Sequence, residues 1–299
     1  MKAIVIGSIN MDFTMAVQHL PAKGETITAD HFKQSPGGKG ANQAVALARL
    51  GADVMMIGAV GKDGMGKSLT AALAREGIST AGIEIADTAT GNAFINVDHE
   101  GSNTIVVYPG ANYRLDMDWV MGFRDEIAAA DYVVLQLEIP TETAEGCIRL
   151  AHGLGTKVIL NPAPARPLSD DIYPITDIIV PNETELKILT GTDDIVEGAR
   201  LLLGRGVKSV VVTLGSKGCL YVDGVRGYRE DGFKVHSVDS TAAGDAFIGG
   251  LAVSLGSGDI RPGLRFANAV GAVTVTRQGA QSSIPTYGEA EEFLRRQGI

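Results

Sequence analysis

The residues best suited to chemistry stand in the run Asp239-Ser240-Thr241-Ala242-Ala243-Gly244-Asp245, between a strand-like segment ending near Val238 and an apolar helical pattern beginning near Gly244. The small side chains of Ala242, Ala243 and Gly244 let successive backbone N–H groups turn toward one point at a helix N-terminus, where the macrodipole also favours negative charge. That is an anion cradle of the kind that holds phosphate. Asp245, in the first helical turn, would repel a phosphate unless it has another task, and the simplest such task is to accept a proton. The alternative reading is an aspartate that caps the helix, with Gly-Ala punctuation around it.

Further polar groups recur at the carboxyl ends of strand-like runs, where open α/β sheets bind ligands. Asn10 and Asp12 follow the apolar run Ala3-Ile4-Val5-Ile6-Gly7. An Asn with an Asp suits bidentate hydrogen bonding to vicinal sugar hydroxyls, although as isolated residues both are common turn formers. In Pro36-Gly37-Gly38-Lys39-Gly40-Ala41-Asn42 the glycines allow the backbone to approach a ligand closely, and Lys39 and Asn42 offer donors to hydroxyl groups. Glu138 ends the run Gln136-Leu137-Glu138, the rigid loop Asn161-Pro162-Ala163-Pro164-Ala165-Arg166 follows the next strand, and Pro181-Asn182-Glu183-Thr184-Glu185 the next again. Asn182 and Glu185, three apart on one helical face, suit the hydrated Mg²⁺ that accompanies ATP, or equally a capping box. Thr213-Leu214-Gly215-Ser216-Lys217-Gly218 reads as strand, turn and strand, either bordering a nucleotide or serving only as a hairpin.

One motif points elsewhere. Gly61-Lys62-Asp63-Gly64-Met65-Gly66-Lys67-Ser68 fits the P-loop pattern GxxxxGK[ST], follows a strand and precedes a helix. It arrives only after the first strand and two inserted pieces, and the one Walker-B-like run is the marginal Cys219-Leu220-Tyr221-Val222-Asp223. The plainer reading is a Gly-rich turn before a helix.

The elements that must position these groups alternate. Strands at Val54–Val60, Tyr132–Leu137, Lys157–Asn161, Asp177–Val180 and Ser209–Leu214 are separated by helical patterns, among them Met65–Glu76, Asp116–Ala129 as one helix, Thr141–His152 and Glu183–Leu189. Such alternation implies a parallel sheet covered on both faces, the α/β class. Two excursions interrupt it: short β pieces at Phe13–Val17 and Glu25–Ala29, and a pair of strands at Asn92–Val97 and Thr104–Tyr108. A β segment reaches Val238, and three helices around Ala243–Leu255, Pro262–Arg277 and Tyr287–Arg296 close the chain. The 299 residues include 38 Gly, in keeping with many tight strand-to-helix turns, and carry a net charge of −9, which argues against a nucleic-acid partner. Cys147 and Cys219 stand far apart without a metal-ligand spacing and are expected in the core. No apolar run approaches the roughly 20 residues of a membrane span, and Met1-Lys2 leads straight into the first strand. A cytoplasmic protein is expected.

Together these pieces resemble the ribokinase branch of the PfkB-type carbohydrate kinase family over essentially the whole chain. One family signature is matched by Gly37-Gly38-Lys39-Gly40-Ala41-Asn42 continuing through Gly58 to Gly61-Lys62-Asp63-Gly64-Met65-Gly66, which absorbs the apparent P-loop. The other is matched by Asp239 to Asp245, with Ala242 where the broader family commonly has Gly. Asn161 to Arg166, Pro181 to Glu185 and Arg277-Gln278-Gly279-Ala280-Gln281 are similar as well. The resemblance implies one α/β kinase domain over residues 1–299, a three-layer sandwich with a mostly parallel central sheet, and inserted β-lid segments at 13–36 and 91–108 that also form a homodimer contact. It implies ATP-dependent phosphorylation of D-ribose at the 5-hydroxyl, giving ribose 5-phosphate and ADP. The sugar would be held by Asn10, Asp12, Gly38, Lys39, Asn42, Glu138 and Asp245, with Asp245 as general base and Ala242, Ala243 and Gly244 as the anion hole. Asn182 and Glu185 would support Mg-ATP, holding Mg²⁺ through water, while Thr213, Gly215, Gly218, Gly244 and Asn268 would border the nucleotide. A potassium ion would be coordinated by oxygens at Asp239, Thr241, Thr274, Arg277, Gly279 and Ser283, mostly backbone carbonyls.

Three other readings stay open at this point. The sugar could be 2-deoxyribose or another related sugar or nucleoside, since one hydroxyl separates it from ribose. A non-catalytic sugar or nucleotide sensor on the same fold would keep the pockets and lose the base, against which stands the intact Asp245. A P-loop NTPase would depend on Lys67.

Overall fold

The structure is a computed structural model and describes residues 1–255 and 260–299. It begins with β1 (Lys2–Ile6), whose alternate side chains enter two different cores: Ala3 and Val5 one, Ile4 and Ile6 the other. A strand apolar on both sides must be covered on both sides, and the chain builds the layers that do so. It first leaves for a smaller sheet through β2 (Asn10–Ala16) and β3 (His31–Gly37), then returns by α1 (Lys39–Arg49), β4 (Asp53–Gly61), α2 (Gly64–Arg75) and β5 (Ser79–Ala86). A second departure makes β6 (Gly91–Val97) and β7 (Asn103–Tyr108). Two short helices, α3 (Met117–Met121) and α4 (Arg124–Ala128), lead into β8 (Tyr132–Leu135), α5 (Thr141–Gly153), β9 (Lys157–Leu160), β10 (Ile178–Ile179), α6 (Glu183–Thr190), α7 (Ile195–Gly204) and β11 (Ser209–Thr213). The hairpin of β12 (Cys219–Asp223) and β13 (Gly227–Glu230) precedes α8 (Ala243–Ser254), α9 (Ile260–Val275) and α10 (Tyr287–Arg296).

The main sheet has the order β13-β12-β11-β10-β9-β8-β1-β4-β5, antiparallel only where β12 joins its two neighbours. Helices α1, α2, α8, α9 and α10 bring Leu47, Leu73, Leu251, Leu264 and Ala290 to one face. Helices α3 to α7 bring Val120, Ile127, Ile148, Leu186 and Leu202 to the other. The α/β sandwich read from the alternation is therefore present. Because the central strands are parallel, all of them end on the same edge, so the polar residues after β1, β8, β9, β10 and β11 are gathered there. The small sheet, in the order β3-β2-β6-β7, stands beside that edge. Cys147 and Cys219 are buried, and burial pushes both thiols up to about 12. No helix among the described residues is long and apolar enough to cross a membrane.

Several expected boundaries moved. Glu25–Ala29 is not a strand: the Glu25 carboxylate accepts from the Ala22 N–H at 2.8 Å and pairs with His19 at 2.9 Å, closing a turn. The strand lies later, at β3, where the register pairs Asn10 with Gly37 and Ala16 with His31. The strand β5, unread in the sequence because small residues blur its alternation, forms the sheet edge beside β4. Asp116–Ala129 is two short helices rather than one, and the β segment ends at Glu230 instead of reaching Val238. Asn10 and Asp12 belong to β2 of the small sheet rather than to the end of β1.

The P-loop match is built around a carboxylate. Asp63 caps α2 through the Gly66 N–H (2.8 Å) and also accepts from the N–H (2.8 Å) and hydroxyl (2.7 Å) of Thr90, while Lys67 is exposed. A phosphate would have to displace this aspartate. Asp63→Ala is expected to lower the unfolding free energy by about 1–3 kcal/mol, through loss of a cap and a stranded Thr90 N–H. Lys67→Ala should stay within about 0.5 kcal/mol, as exposed substitutions do, and keep ATP turnover within a few-fold. Urea denaturation and a turnover assay check both, and a roughly 10³-fold loss of turnover in Lys67→Ala would revive the P-loop reading.

Candidate active site

Asp245 sits at the third position of α8, and it does not cap that helix. The N-cap is Ala242, with φ 61, the only non-glycine residue at positive φ among the described residues, and no side chain bonds to the helix start. This left-handed geometry explains why glycine would suit the position and why a small Ala is tolerated with some strain. The Asp245 carboxylate turns inward instead. Its Oδ2 accepts from Asn42 Nδ2 at 3.0 Å and its Oδ1 from Gln43 Nε2 at 2.9 Å. The helix start faces open space. Ala243 N–H donates to the Ser240 carbonyl at 3.2 Å, whereas the N–H groups of Gly244 and Asp245 meet no acceptor among the described residues.

Around this point the sugar-binding residues implied by the resemblance come together. A Cβ at Gly38 (φ 88) would lie 2.7 Å from the Asn10 nitrogen, so only glycine lets the α1 approach pass so close to β2. The Glu138 carboxylate accepts from the Lys39 N–H at 3.1 Å and from the Ser8 hydroxyl, tying the end of β8 to the start of α1. Asn10 Oδ1 accepts from Asn112 Nδ2 at 2.6 Å, and Asn112 Oδ1 in turn accepts from the Ile9 N–H at 2.9 Å. Since a backbone N–H can only donate, Asn112 is oriented unambiguously, and Asn10 must accept from it through Oδ1, with Nδ2 turned away.

The electrostatics are those of three acids around one base. Burial, with Glu138 and Asp245 nearby, pushes the Asp12 carboxyl up to about 7. Burial also raises Asp245, against the Lys39 ammonium and the Gln43 and Asn42 amides, which favour its charged form. For Lys39, burial works downward, but the carboxylates of Asp245, Glu138 and Glu185 outweigh it and hold the ammonium above its ordinary value.

Two clefts meet at the start of α8. The larger, of about 790 Å³, is lined by Asn182, Thr213, Gly215, Gly218, Gly244 and Asn268, together with the strand-free stretch after β13. Asn268 holds that stretch by donating to the carbonyls of Glu230 (3.3 Å) and Asp231 (3.2 Å). The smaller, of about 200 Å³, is lined by Lys39, Asn161, Glu185, Ala242 and Asp245. Both contain Asn182, Thr213, Ser240, Ala243 and Gly244, so a group passing from one to the other crosses the helix N-terminus.

Asn182 and Glu185 form the capping box of α6, with reciprocal bonds of 2.8 and 2.9 Å. Burial raises the Glu185 carboxyl. A carboxyl so engaged suits holding a metal's hydration water rather than ligating the metal directly. The loops expected around potassium do meet: Asp239 accepts from Thr241 N–H (2.9 Å) and Gly279 N–H (2.8 Å), and the Val238 N–H donates to the Val275 carbonyl (2.7 Å). The side chains of Thr274 and Ser283 are spent on the carbonyls of Val270 and Ala280, and the Arg277 guanidinium pairs with Glu289 at 2.6 Å. What remains there for a cation is Asp239 and backbone carbonyl oxygen, a hard donor set that fits a monovalent ion.

Comparison with known proteins agrees with this geometry. Residues 1–287 match the pfkB family carbohydrate kinase profile. The chain belongs to that family. This carbohydrate kinase is 42% identical to the ribokinase of Haemophilus influenzae over 97% of each chain, and 38% identical to a deoxyribokinase of Salmonella typhi over 98% of this chain and 99% of the other. Its fold superimposes with a TM-score of 0.90 on Arabidopsis thaliana ribokinase complexed with ribose and ATP, at 31% identity and 98% coverage of both chains.

The sequence left four site residues unread: Ser8, Gln43, Asn112 and Gln136. Gln136 carried a signal, because an amide inside the otherwise apolar run Tyr132 to Leu137 must find a partner when buried. Gln43 adjoins Asn42 in the glycine-rich motif, but nothing local marks its partner.

Burying Asp12 has a consequence for stability. Its folded pKa lies above the unfolded value of 3.8, so the native state binds the extra proton and stability falls as pH rises from about 4 to about 7. Asp12→Asn is expected to raise the thermal midpoint by about 2–4 °C above pH 7, with the gain shrinking toward pH 4, while sugar binding weakens. Calorimetry across pH checks it; a midpoint difference that does not depend on pH would count against a neutral buried Asp12.

Proposed function

We propose that the protein phosphorylates D-ribose at its 5-hydroxyl with ATP, yielding ribose 5-phosphate and ADP, with Asp245 as general base. The observation that carries this reading is the place of Asp245: a buried carboxylate that caps nothing, beside free N–H groups, where two clefts join. The fold shared with a ribokinase complexed with ribose and ATP supports the choice of substrates. The nucleotide occupies the larger cleft against Thr213, Gly215, Gly218 and Asn268, its terminal phosphate directed at the backbone of Ala242, Ala243 and Gly244. The sugar lies against Asn10, Asp12, Gly38, Lys39, Asn42 and Glu138. Asn10 donates through Nδ2, and Asp12 and Glu138 accept from hydroxyls.

An alcohol is about as weak an acid as water, whose pKa is about 15.7, and even a raised carboxylate cannot hold its proton in advance. Asp245 therefore accepts the proton late, as the O–P bond forms. Most of the acceleration comes from in-line positioning and from the N–H groups and Lys39, which meet the charge developing on the transferring group. Mg²⁺, held through water by Asn182 and Glu185, supplies charge neutralisation on the nucleotide phosphates. The loops of Asp239 to Thr241 and Thr274 to Ser283 hold a potassium ion through Asp239 and backbone oxygens. Their meeting point is three residues from the anion hole, so ordering the loops orders the N–H groups. The same rate in sodium as in potassium at equal ionic strength would remove this assignment.

The lid strand β7 is exposed at every residue, and the register sets Phe32, Phe94, Val106 and Tyr108 on one exposed apolar face of the small sheet. We assign this face to a homodimer contact of a cytoplasmic enzyme; a sedimentation profile of monomers at micromolar concentration would exclude it.

Deoxyribose remains the second reading, since a deoxyribokinase is nearly as similar as the ribokinases. A coupled ATP assay over sugars and nucleosides separates the two: kcat/KM should favour ribose, and a reversed order would transfer the assignment. In the same assay Asp245→Asn should lower kcat by about 10²–10⁴, the usual worth of a general base, with little change in the KM for ATP. Unchanged kcat in a folded variant would show the mechanism to be wrong at its centre.

A further inference from the structure

The Asp245 carboxylate is held from behind by a row of buried amides that spans four elements. Asn161 Nδ2 donates to the Val180 carbonyl at 3.0 Å, and a carbonyl can only accept. Asn161 must then point its Oδ1 the other way, where it accepts from Gln43 Nε2 at 3.2 Å. The same Nε2 donates to Asp245 Oδ1 at 2.9 Å. At the far end, Gln43 Oε1 accepts from Gln136 Nε2. Every amide orientation is thus set by its neighbours, starting from one backbone carbonyl. Gln43 and Gln136 are fully buried, and Asn161 is 7% exposed, so water cannot readily replace any link.

We propose that Gln43 is a positioning residue for Asp245, its amide orientation fixed by Val180, Asn161 and Gln136 so that an N–H always meets Oδ1 of the carboxylate. This rests on the reading of Asp245 as the proton acceptor and goes beyond it. With Asn42 on Oδ2 and Gln43 on Oδ1, rotation of the carboxyl about its Cβ–Cγ bond is blocked, and the remaining lone pairs stay directed at the cleft. The two donors also favour the ionised form against burial. The other charged groups facing this carboxylate are Lys39 from α1, Glu138 after β8, Glu185 from α6 and Asp12 from β2. Of these only Lys39 helps keep it charged, and it is shared among three acids.

Gln43→Glu is nearly isosteric and tests the proposal directly. It keeps the acceptor for Gln136 but sets a second carboxyl against Asp245, and the pair then retains a proton to higher pH. The acidic limb of the kcat/KM profile should move upward by at least one pH unit, which is a tenfold loss on that limb, with activity returning as pH rises. Gln43→Leu, with no proton to share, should lower kcat at least tenfold at every pH while the KM for ATP stays within a few-fold. Gln136→Leu, one link further from the carboxylate, should do the same more weakly. Circular dichroism gives the folded fraction used to correct each rate. A Gln43→Glu profile superimposable on that of the unaltered protein would overturn the proposal. So would a Gln43→Leu loss fully accounted for by the folded fraction. Asp245→Asn measured alongside distinguishes the two levels: full activity there overturns the proton-acceptor reading itself, whereas loss there with an unmoved Gln43→Glu profile overturns only the role of Gln43.

Discussion

A carboxylate shut away from water needs donors to sustain its charge, and Asp245 is surrounded accordingly. Burial alone favours the neutral acid, which cannot act as a base. Asn42, Gln43 and the Lys39 ammonium work against burial, and all three lie within the first five residues of α1. The placement of α1 is therefore as important to the site as that of α8, which carries the aspartate. Their packing is close: a Cβ at Gly249 would lie 2.6 Å from the Ala46 methyl group, so a larger residue at either place would push the donors away from the carboxylate.

The rest of the fold follows from bringing α1 and α8 to the same edge of a parallel sheet. Parallel strands end together, and the loops after them can converge only because helices return the chain each time to the opposite edge. Glu138, Asn161 and Asn182 follow three adjacent strands and Thr213 ends the next, so the four line up across the mouth of the site. The small sheet supplies what the main sheet cannot, a wall carrying Asn10 and Asp12 that faces these loops. Antiparallel pairing of β2 with β3 sets Gly37 against Asn10, and this brings Gly38 and Lys39 beside the polar end of β2.

Features governed by local chemistry could be read from the sequence. The alternation of strands and helices, the start of α8 and the Asn182–Glu185 pair all depend on residues a few positions apart. Local pattern also left ambiguities that only geometry resolves. The box at Asn182 and Glu185 forms, and Asp245 declines to cap although its spacing permits it. The amide row was out of reach because Gln43 and Asp245 are 202 residues apart and neither residue's neighbours point to the other. Strand β3 was misplaced for a related reason. Its position is decided by register with β2, while Glu25–Ala29, with the better local β pattern, is drawn into a turn by the Glu25 side chain.

The charge balance of the sugar site bears on its direction of reaction. Asp245, Glu138 and Glu185 act on one ammonium, Lys39, and hold it above its ordinary value. On the proposed reading a neutral sugar would bring no charge into this enclosure. A sugar phosphate carries its charge into the same acidic enclosure. On the proposed mechanism, the proton passed to Asp245 would remove one negative charge, while the new phosphate would remain close to the other carboxylates, with the α8 N–H groups and Lys39 on its side. Repulsion between like charges in a partly buried site is weakly screened and acts over several ångströms. On that mechanism the enclosure would favour a neutral sugar over its phosphate, so acids proposed to hold the sugar's hydroxyls before transfer would also help to release the product afterwards.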